Sequence, residues 1–386
     1  MSVPQLRFKD YCDPWQVNNL GDLAEVTTGD KDTQNKVDGG LYPFFVRSQT
    51  VERIDSYSYD GEAILTSGDG VGVGKNFHYV TGKFDFHQRV YCIRKFKKQI
   101  SGKFLFHYFA EKFNRRVMRL SAKNSVDSVR REMITGMPIY TPQLAEQTKI
   151  ANFLTAVDEK IARLTQKCVL LTQYKKGVMQ QIFSQELRFK DDEGREFPEW
   201  DIIELEKIAS KVNKKNKDLA INYVLTNSAT QGIVSQSEYF ERDIANKNNL
   251  GGYYIVEIDD FVYNPRISAN ALVGPIKRNN LDVGIMSPLY TVFRFKEGNL
   301  EYFEQYFQTN HWHDYMKSIS NSGARHDRMN ITNESFIGLP IPYPSKKEQT
   351  KIANFLTAID DKIKSAQAQL ATVKQYKQGL LQQMFV

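Results

Sequence analysis

With 386 residues, 41% of them hydrophobic and 12% aromatic, the chain is long enough to build more than one domain with a real core. Its cysteines, Cys12, Cys92 and Cys168, are odd in number and scattered, which argues against a disulfide framework and for a reducing, cytoplasmic setting. The net charge of +7 is uneven: +5 in residues 1–145, +3 in 146–183, −5 in 184–345 and +4 in 346–386, so a bulk basic field cannot by itself imply nucleic-acid binding.

The start, Met1-Ser2-Val3-Pro4-Gln5, has no apolar run, so no signal peptide is expected. No later segment approaches the ~20 apolar residues of a membrane-spanning helix. A first module, roughly 11–143, reads as strands and turns, with β-type runs at 51–54, 63–66, 79–80 and 89–93 and an amphipathic helix over 104–120. A long heptad pattern follows. Ile150, Leu154, Val157, Ile161, Leu164, Cys168, Leu171, Lys175, Val178 and Ile182 are spaced 4-3-4-3, the signature of a coiled-coil seam. A second module, roughly 196–344, has runs at 253–258, 261–263 and 289–295 and a helix over 301–318. The chain closes on a second seam in the same register: Ile352, Leu356, Ile359, Ile363, Ala366, Leu370, Val373, Lys377, Leu380 and Met384. A helix of ~36 residues is about 55 Å long at ~1.5 Å per residue. Only Lys175 and Lys377 break the apolar seam. Gly177 and Gly379 inside the helices cost ~1 kcal/mol each relative to Ala, which points to close helix approach or to a kink.

The two helices are copies. Glu146-Gln147-Thr148-Lys149-Ile150-Ala151-Asn152-Phe153-Leu154-Thr155-Ala156 returns letter for letter at 348–358, an offset of 202 residues. Gly136-Met137-Pro138-Ile139 and Gly338-Leu339-Pro340-Ile341 keep that offset. Leu6-Arg7-Phe8-Lys9-Asp10 recurs as Leu187-Arg188-Phe189-Lys190-Asp191, each followed by a Trp (Trp15, Trp200). The second copy directly follows a helix, whereas the first starts the chain. If the halves are equivalent, the two termini lie close together in a pseudo-two-fold circular plan.

Motifs for chemistry are missing. Ser67-Gly68-Asp69-Gly70-Val71-Gly72-Val73-Gly74-Lys75 follows a strand, but a Walker A loop needs Gly at Asp69 and Ser or Thr at Asn76. A glycine-rich turn, or one whose amides approach a DNA phosphate, fits it. Asp13-Pro14-Trp15 and Asn264-Pro265-Arg266 fall short of a DNA adenine methyltransferase motif. His311-x-His313 lacks the further ligands a metal site needs. The chain reads as a binder, not an enzyme, with no metal and no cofactor of its own.

The recognition candidates are loops. Gly70, Gly72 and Lys75 form one set. The stretches before each closing Gly-x-Pro-Ile form two more: Lys123, Asn124, Ser125, Arg130 and Arg131 in the first module; Arg325, His326, Arg328 and Asn330 in the second. Arg266, Ser268 and Asn270 add a fourth. Arg can bond guanine bidentately, Asn can do so with adenine, and Ser suits phosphate. These loops differ between modules, as two unlike half-sites require; a solvated polar surface is the plain alternative.

Taken together, Pro142-Gln143-Leu144-Ala145-Glu146-Gln147 with Ile150-Ala151, its second copy after Pro344, the Leu-Arg-Phe-Lys-Asp…Trp starts and the Asp69-Gly70-Val71-Gly72 turn resemble the DNA specificity subunit of a type I restriction–modification system. The resemblance covers essentially the whole chain. It implies an α/β (α+β) fold with two globular target recognition domains separated by an antiparallel pair of long coiled-coil helices. The expected segments are 1–145, 146–185, 186–345 and 346–386. It further implies double-stranded DNA as ligand, one half-site per domain, a spacer set by the helices, and docking of two methyltransferase subunits. S-adenosylmethionine would belong to those partners, and motor–nuclease subunits would complete a restricting complex. The alternatives are a specificity module of another DNA-modifying complex, or a coiled-coil adaptor that binds no DNA.

Overall fold

A computed structural model describes residues 4–120, 128–240, 247–320 and 327–385. It divides into two compact units, one of residues 1–167 with 366–386 and the other of residues 168–365. Each unit therefore takes one module and one half of each long helix, so the unit boundaries fall inside the helices instead of at their ends.

In unit 1 the elements are β1 (Gln16–Asn19), α1 (Leu20–Leu23), β2 (Glu25–Thr28), β3 (Tyr42–Phe45), β4 (Val51–Ile54), β5 (Tyr59–Asp60), β6 (Ala63–Ser67), β7 (Phe77–Val80), β8 (Lys83–Phe86), β9 (Val90–Arg94), α2 (Gly102–Leu120), α3 (Arg131–Thr135) and β10 (Pro138–Thr141). The helix α4 (Leu144–Phe183) then leads out of the module. One antiparallel sheet has the order β2-β9-β6-β7, and a mixed sheet, in which β3 and β8 are parallel, has the order β4-β3-β8-β5. All five residues of β6 are buried. Alternation explains why: Ile64 joins the core under α2, whereas Ala63 and Leu65 face the other sheet with Phe45, Phe84 and Phe86.

Unit 2 repeats the plan with β11 (Asp201–Glu204), α5 (Leu205–Ile208), β12 (Ala209–Lys211), β13 (Leu225–Ser228), β14 (Gly232–Ser235), α6 (Gln236–Tyr239), β15 (Tyr254–Val256), β16 (Phe261–Tyr263), β17 (Ile276–Arg278), β18 (Gly284–Met286), β19 (Thr291–Phe295), α7 (Leu300–Tyr306), α8 (His313–Ser318), α9 (Asn333–Ile337) and β20 (Pro340–Tyr343), before α10 (Lys346–Met384). Its main sheet, β12-β19-β16-β17, matches that of unit 1. Phe261 and Tyr263 enter the core beneath the helices, while Val262 faces the smaller pairs β13-β14 and β15-β18. In both units the first and last strands of the module pair, β1 with β10 and β11 with β20. The strands at 51–54 and 261–263 match the sequence reading, and the other expected strands shift by one or two residues at one or both ends. The single helix expected over 301–318 is two: α7 ends where Thr309 N–H and Oγ1 both bond the Tyr306 carbonyl, and the link 307–312 tucks Phe307 and Trp312 into the core.

The copied Glu-Gln pairs clamp each long helix to its module. Glu146 and Glu348 are buried to 1% and 0% exposure. Arg7 donates to Glu146 through Nε at 2.7 Å and Nη2 at 2.8 Å. Arg188 does the same to Glu348 at 3.3 and 2.9 Å. Gln147 accepts from the Ser101 amide and donates to the Pro142 and Gln99 carbonyls. Gln349 accepts from the Asn299 amide and donates to the Pro344 carbonyl. Two buried carboxylates are tolerable because each is paired and bidentately bonded.

The first seam positions are buried in both copies, but burial continues further along the second helix. Ile150, Leu154, Ile352, Leu356, Ile359 and Ile363 are buried, and Val157, Ile161, Leu164, Leu171, Leu370 and Val373 are half-buried. Within unit 1, Leu380 and Met384 share a core with Ile150 and Leu154, so the helix halves run antiparallel there. Each seam lysine has a carboxylate: Lys175 Nζ lies 2.7 Å from Asp360 in unit 2, and Lys377 pairs with Asp158 in unit 1. Gly177 and Gly379 lie in unbroken helix, and a Cβ at either would meet no described atom within 4 Å. The circular plan has a direct counterpart. The Leu187 amide bonds the Gln181 carbonyl at the end of α4 (3.0 Å), and in unit 1 the Leu6 amide bonds the Gln383 carbonyl at the end of α10 (2.9 Å).

Two outcomes follow from this packing. Joining the termini and reopening the chain at Gln185, an exposed turn residue with φ +62°, should keep the native circular-dichroism spectrum and a cooperative melt; loss of cooperativity would contradict the shared closure. His107, 4% exposed beside Asp158, is held down to about 4 by burial, against the opposing pull of Asp158. The unfolded chain then binds a proton that the folded chain refuses. Stability should fall from about pH 6.5 toward pH 4, by up to about 3 kcal/mol. His107→Gln should flatten that part of a melting-temperature–pH profile.

Candidate nucleic-acid interface

In both units the loop after the central strand meets the segment that precedes the short closing helix. In unit 1, β6 gives way to Gly68, whose amide bonds the Arg89 carbonyl and whose carbonyl accepts from the Val129 amide, each at 2.7 Å. Asp69 bridges Ser128 as an isolated antiparallel pair. Gly70 adopts φ +74°, and residues Gly70–Gly72 form a single tight turn. Gly72 is required by space: an added Cβ would lie 2.1 Å from Asn76 Nδ2 and 2.7 Å from the Arg47 carbonyl. Asn76 Nδ2 itself donates to that carbonyl at 2.8 Å, pinning the turn to the 47–50 loop. Val71 stands at the tip, 97% exposed.

Around the tip Asp69 receives two guanidinium groups, Arg47 at 3.1 Å and Arg89 at 3.8 Å. Lys75, Arg130 and Arg131 are exposed nearby in sequence order on the same two segments, and the Tyr91 hydroxyl fixes the Val129 carbonyl between them. Exposed ion pairs of this kind contribute little stability, so the carboxylate's effect is to orient the arginines.

In unit 2, β16 is followed by Asn264, whose Oδ1 accepts from the Arg266 amide (3.0 Å) and whose Nδ2 donates to the Asn227 carbonyl (3.0 Å). The amides of Met329 and Ile267 bond the Pro265 and Asp327 carbonyls, and Arg266 bridges Arg328. Asp327 lies 3.8 Å from Arg266 and 3.7 Å from Arg328. Ser268 and Ala271 close the loop with reciprocal amide bonds, leaving Ser268 and Asn270 exposed. Asn330 is exposed at the end of the partner segment.

The structure thus joins candidates that lie 58 or more positions apart in sequence: Gly70 and Gly72 with the segment carrying Arg130 and Arg131, and Arg266 with Arg328. Lys123, Asn124, Ser125, Arg325 and His326 lie outside the described residues. Arg47 and Arg89 escaped the sequence reading, since only Asp69, brought to them by tertiary contact, marks them out. Asn264-Pro265 anchors a loop, and Trp15 and Trp200 are core residues. Among the described residues no group of three or more His, Cys, Asp or Glu could hold a metal ion. Nor is any described helix long and apolar enough to cross a membrane.

A family model described as the type I restriction modification DNA specificity domain matches residues 13–172 and 199–375. The type I restriction enzyme EcoDI specificity subunit of Escherichia coli is 30% identical over 170 residues, 43% of this chain and 37% of that protein. The chain therefore matches little more than a third of that relative's length. A protein of Methanocaldococcus jannaschii named as a type I restriction enzyme MjaX specificity subunit is 24% identical over 309 residues, 75% of this chain and 68% of that protein. In fold, the chain is similar to the crystal structure of the S subunit of a type I restriction–modification system from M. genitalium, with a TM-score of 0.66 and 14% identity over 100% of this chain and 99% of that one. It is also similar to a chain from a study of complex assembly and conformational transition of the type I system, with a TM-score of 0.50 and 13% identity over 96% of this chain and 97% of that one.

The tip of unit 2 can be tested directly. Gly274 has φ +80°, and a Cβ there would lie 2.0 Å from the Asn264 carbonyl oxygen. Gly274→Ala should cost roughly 1–3 kcal/mol from backbone strain alone. Asn270→Ala, on the exposed turn, should leave a chemical-denaturation midpoint unchanged; equal effects of the two would deny that the loop is held by this contact.

Proposed function

The chain belongs to the type I restriction–modification DNA specificity family, and on that premise we propose that it is a non-catalytic subunit that reads a two-part DNA site, one half with each unit. The observation that carries this reading is the repeated tip: two units of one plan present pairs of arginines held by a carboxylate, but on unlike sequences. Arg266 and Arg328 in unit 2, and Arg47, Arg89, Arg130 and Arg131 in unit 1, supply guanidinium donors suited to guanine edges or phosphates. Gly70 and Gly72 let backbone amides come close to the DNA. Ser268, Asn270 and Asn330 add donors and acceptors in unit 2.

In this reading the long helices set the unread spacer. Half-sites one helical turn apart lie about 34 Å from each other, within the reach of helices of about 55 Å. The same helices dock two methyltransferase subunits, which bring S-adenosylmethionine and the adenine-methylation chemistry; motor–nuclease subunits join when the complex restricts. The work is cytoplasmic.

Single-molecule methylome sequencing of a host with and without the gene tests the reading. A split adenine-methylation motif should disappear on deletion; an unchanged methylome together with no salt-dependent DNA binding by the assembled complex would overturn it. Arg266→Ala or Arg328→Ala should cost about 1–3 kcal/mol of specific binding and relax one half of the motif only.

A further inference from the structure

Unit 2 holds a cavity of about 660 Å³, a volume in the range of small-molecule sites, that the proposed DNA contacts leave largely unused. Its walls come from α4, from the 270–277 segment and from the 307–312 link that interrupts the helical stretch after β19. The corresponding helix of unit 1, α2, runs unbroken from Gly102 to Leu120. The break that forms this wall is therefore a feature of unit 2 and not a by-product of the repeat.

The lining is chemically one-sided. Lys175, Lys176 and Lys277 face it with His311 and His313, and no carboxylate is among the lining residues. Lys175 and Lys176 come from α4, and Lys277, His311 and His313 from the module whose sequence is acidic overall. Lys175 is partly engaged, donating to Gln308 and Asp360. Lys277, on the edge strand β17, has no side-chain hydrogen bond or ion pair among the described residues. Burial lowers its pKa, Glu304 opposes that shift, and Lys175 adds to it. An ammonium kept half-buried without a partner is costly unless an anion meets it. Two aromatic side chains, Phe307 and Trp312, also belong to the lining. Trp312 is 2% exposed, and its buried indole N–H has no acceptor among the described residues.

We propose that this cavity binds a nucleoside polyphosphate, with its phosphates on Lys176, Lys277 and Lys175 and its ring against Phe307 and Trp312. The cation set calls for a polyvalent anion, and the aromatic wall with its spare donor calls for a flat heterocycle bearing acceptors. The proposal goes beyond DNA reading and does not depend on it.

The test is titration of the full-length chain, without DNA, with ATP and separately with inorganic tripolyphosphate, followed by tryptophan fluorescence and calorimetry. ATP should bind saturably and at least roughly tenfold more tightly than tripolyphosphate, because only ATP uses the aromatic wall. Lys277→Gln and Lys176→Gln should each weaken ATP roughly tenfold or more, the loss expected for one charge-assisted contact. Lys176 is exposed, so its variant does not threaten the fold, and Lys277→Gln removes an unpaired half-buried charge. The proposal is overturned by the absence of saturable ATP binding, by unchanged affinity in both variants, or by tripolyphosphate binding as well as ATP. Binding of a short single-stranded oligonucleotide but not of ATP would also overturn it and assign the cavity to a nucleotide of the DNA.

Discussion

The structure depends on a buried carboxylate at the start of each long helix. Glu146 and Glu348 would be intolerable in the core without Arg7 and Arg188, and those arginines come from the segment that begins each module. One ion pair thus ties the first residues of a module to the helix that leaves it. The adjoining Gln147 and Gln349 fix the helix to the loop before the module's own helix. Closure of each module, the direction of its helix and the placement of its tip all follow from this clamp. That is a physical reason for the identical Glu-Gln run in the two copies.

The seam lysines obey similar logic. In a purely apolar seam they would be defects. Each instead meets a carboxylate on the other long helix within its own unit, Asp360 for Lys175 and Asp158 for Lys377. A single polar position in an otherwise apolar seam is a known way of fixing register. Here it would hold each tip at a set place along its helix. The units then diverge in what surrounds the pair. Asp158 has a buried neutral histidine beside it, whereas Asp360 takes Gln305 as well as Lys175. The interruption after α7 removes the regular helix there and leaves a cavity lined by lysines.

The long helices, the glycine turn and the return of the Leu6 segment to the end of α10 were legible in the sequence, because period, spacing and exact repetition are local or self-referential signals. Strand ends were less so, since a strand's limits depend on its neighbours' hydrogen bonds. The break at 307–312 was invisible: its residues are compatible with a helix, and burial of Phe307 and Trp312 decides otherwise. The candidate loops were legible as donor-rich stretches, but their pairing was not. Arg47 and Arg89 carry no local mark at all; they matter because a turn 22 residues after the first and 20 before the second delivers Asp69 between them.

By itself the sequence determined that two unlike modules are mounted on two copies of one helix, with a shared way of starting and closing each. Repetition of whole motifs states this without reference to space. Tertiary structure alone decided which distant loops share a tip, which carboxylates answer the buried cations, and where a cavity opens. Those outcomes are set by packing and by the pairing of buried charge, which join residues that no spacing along the chain connects.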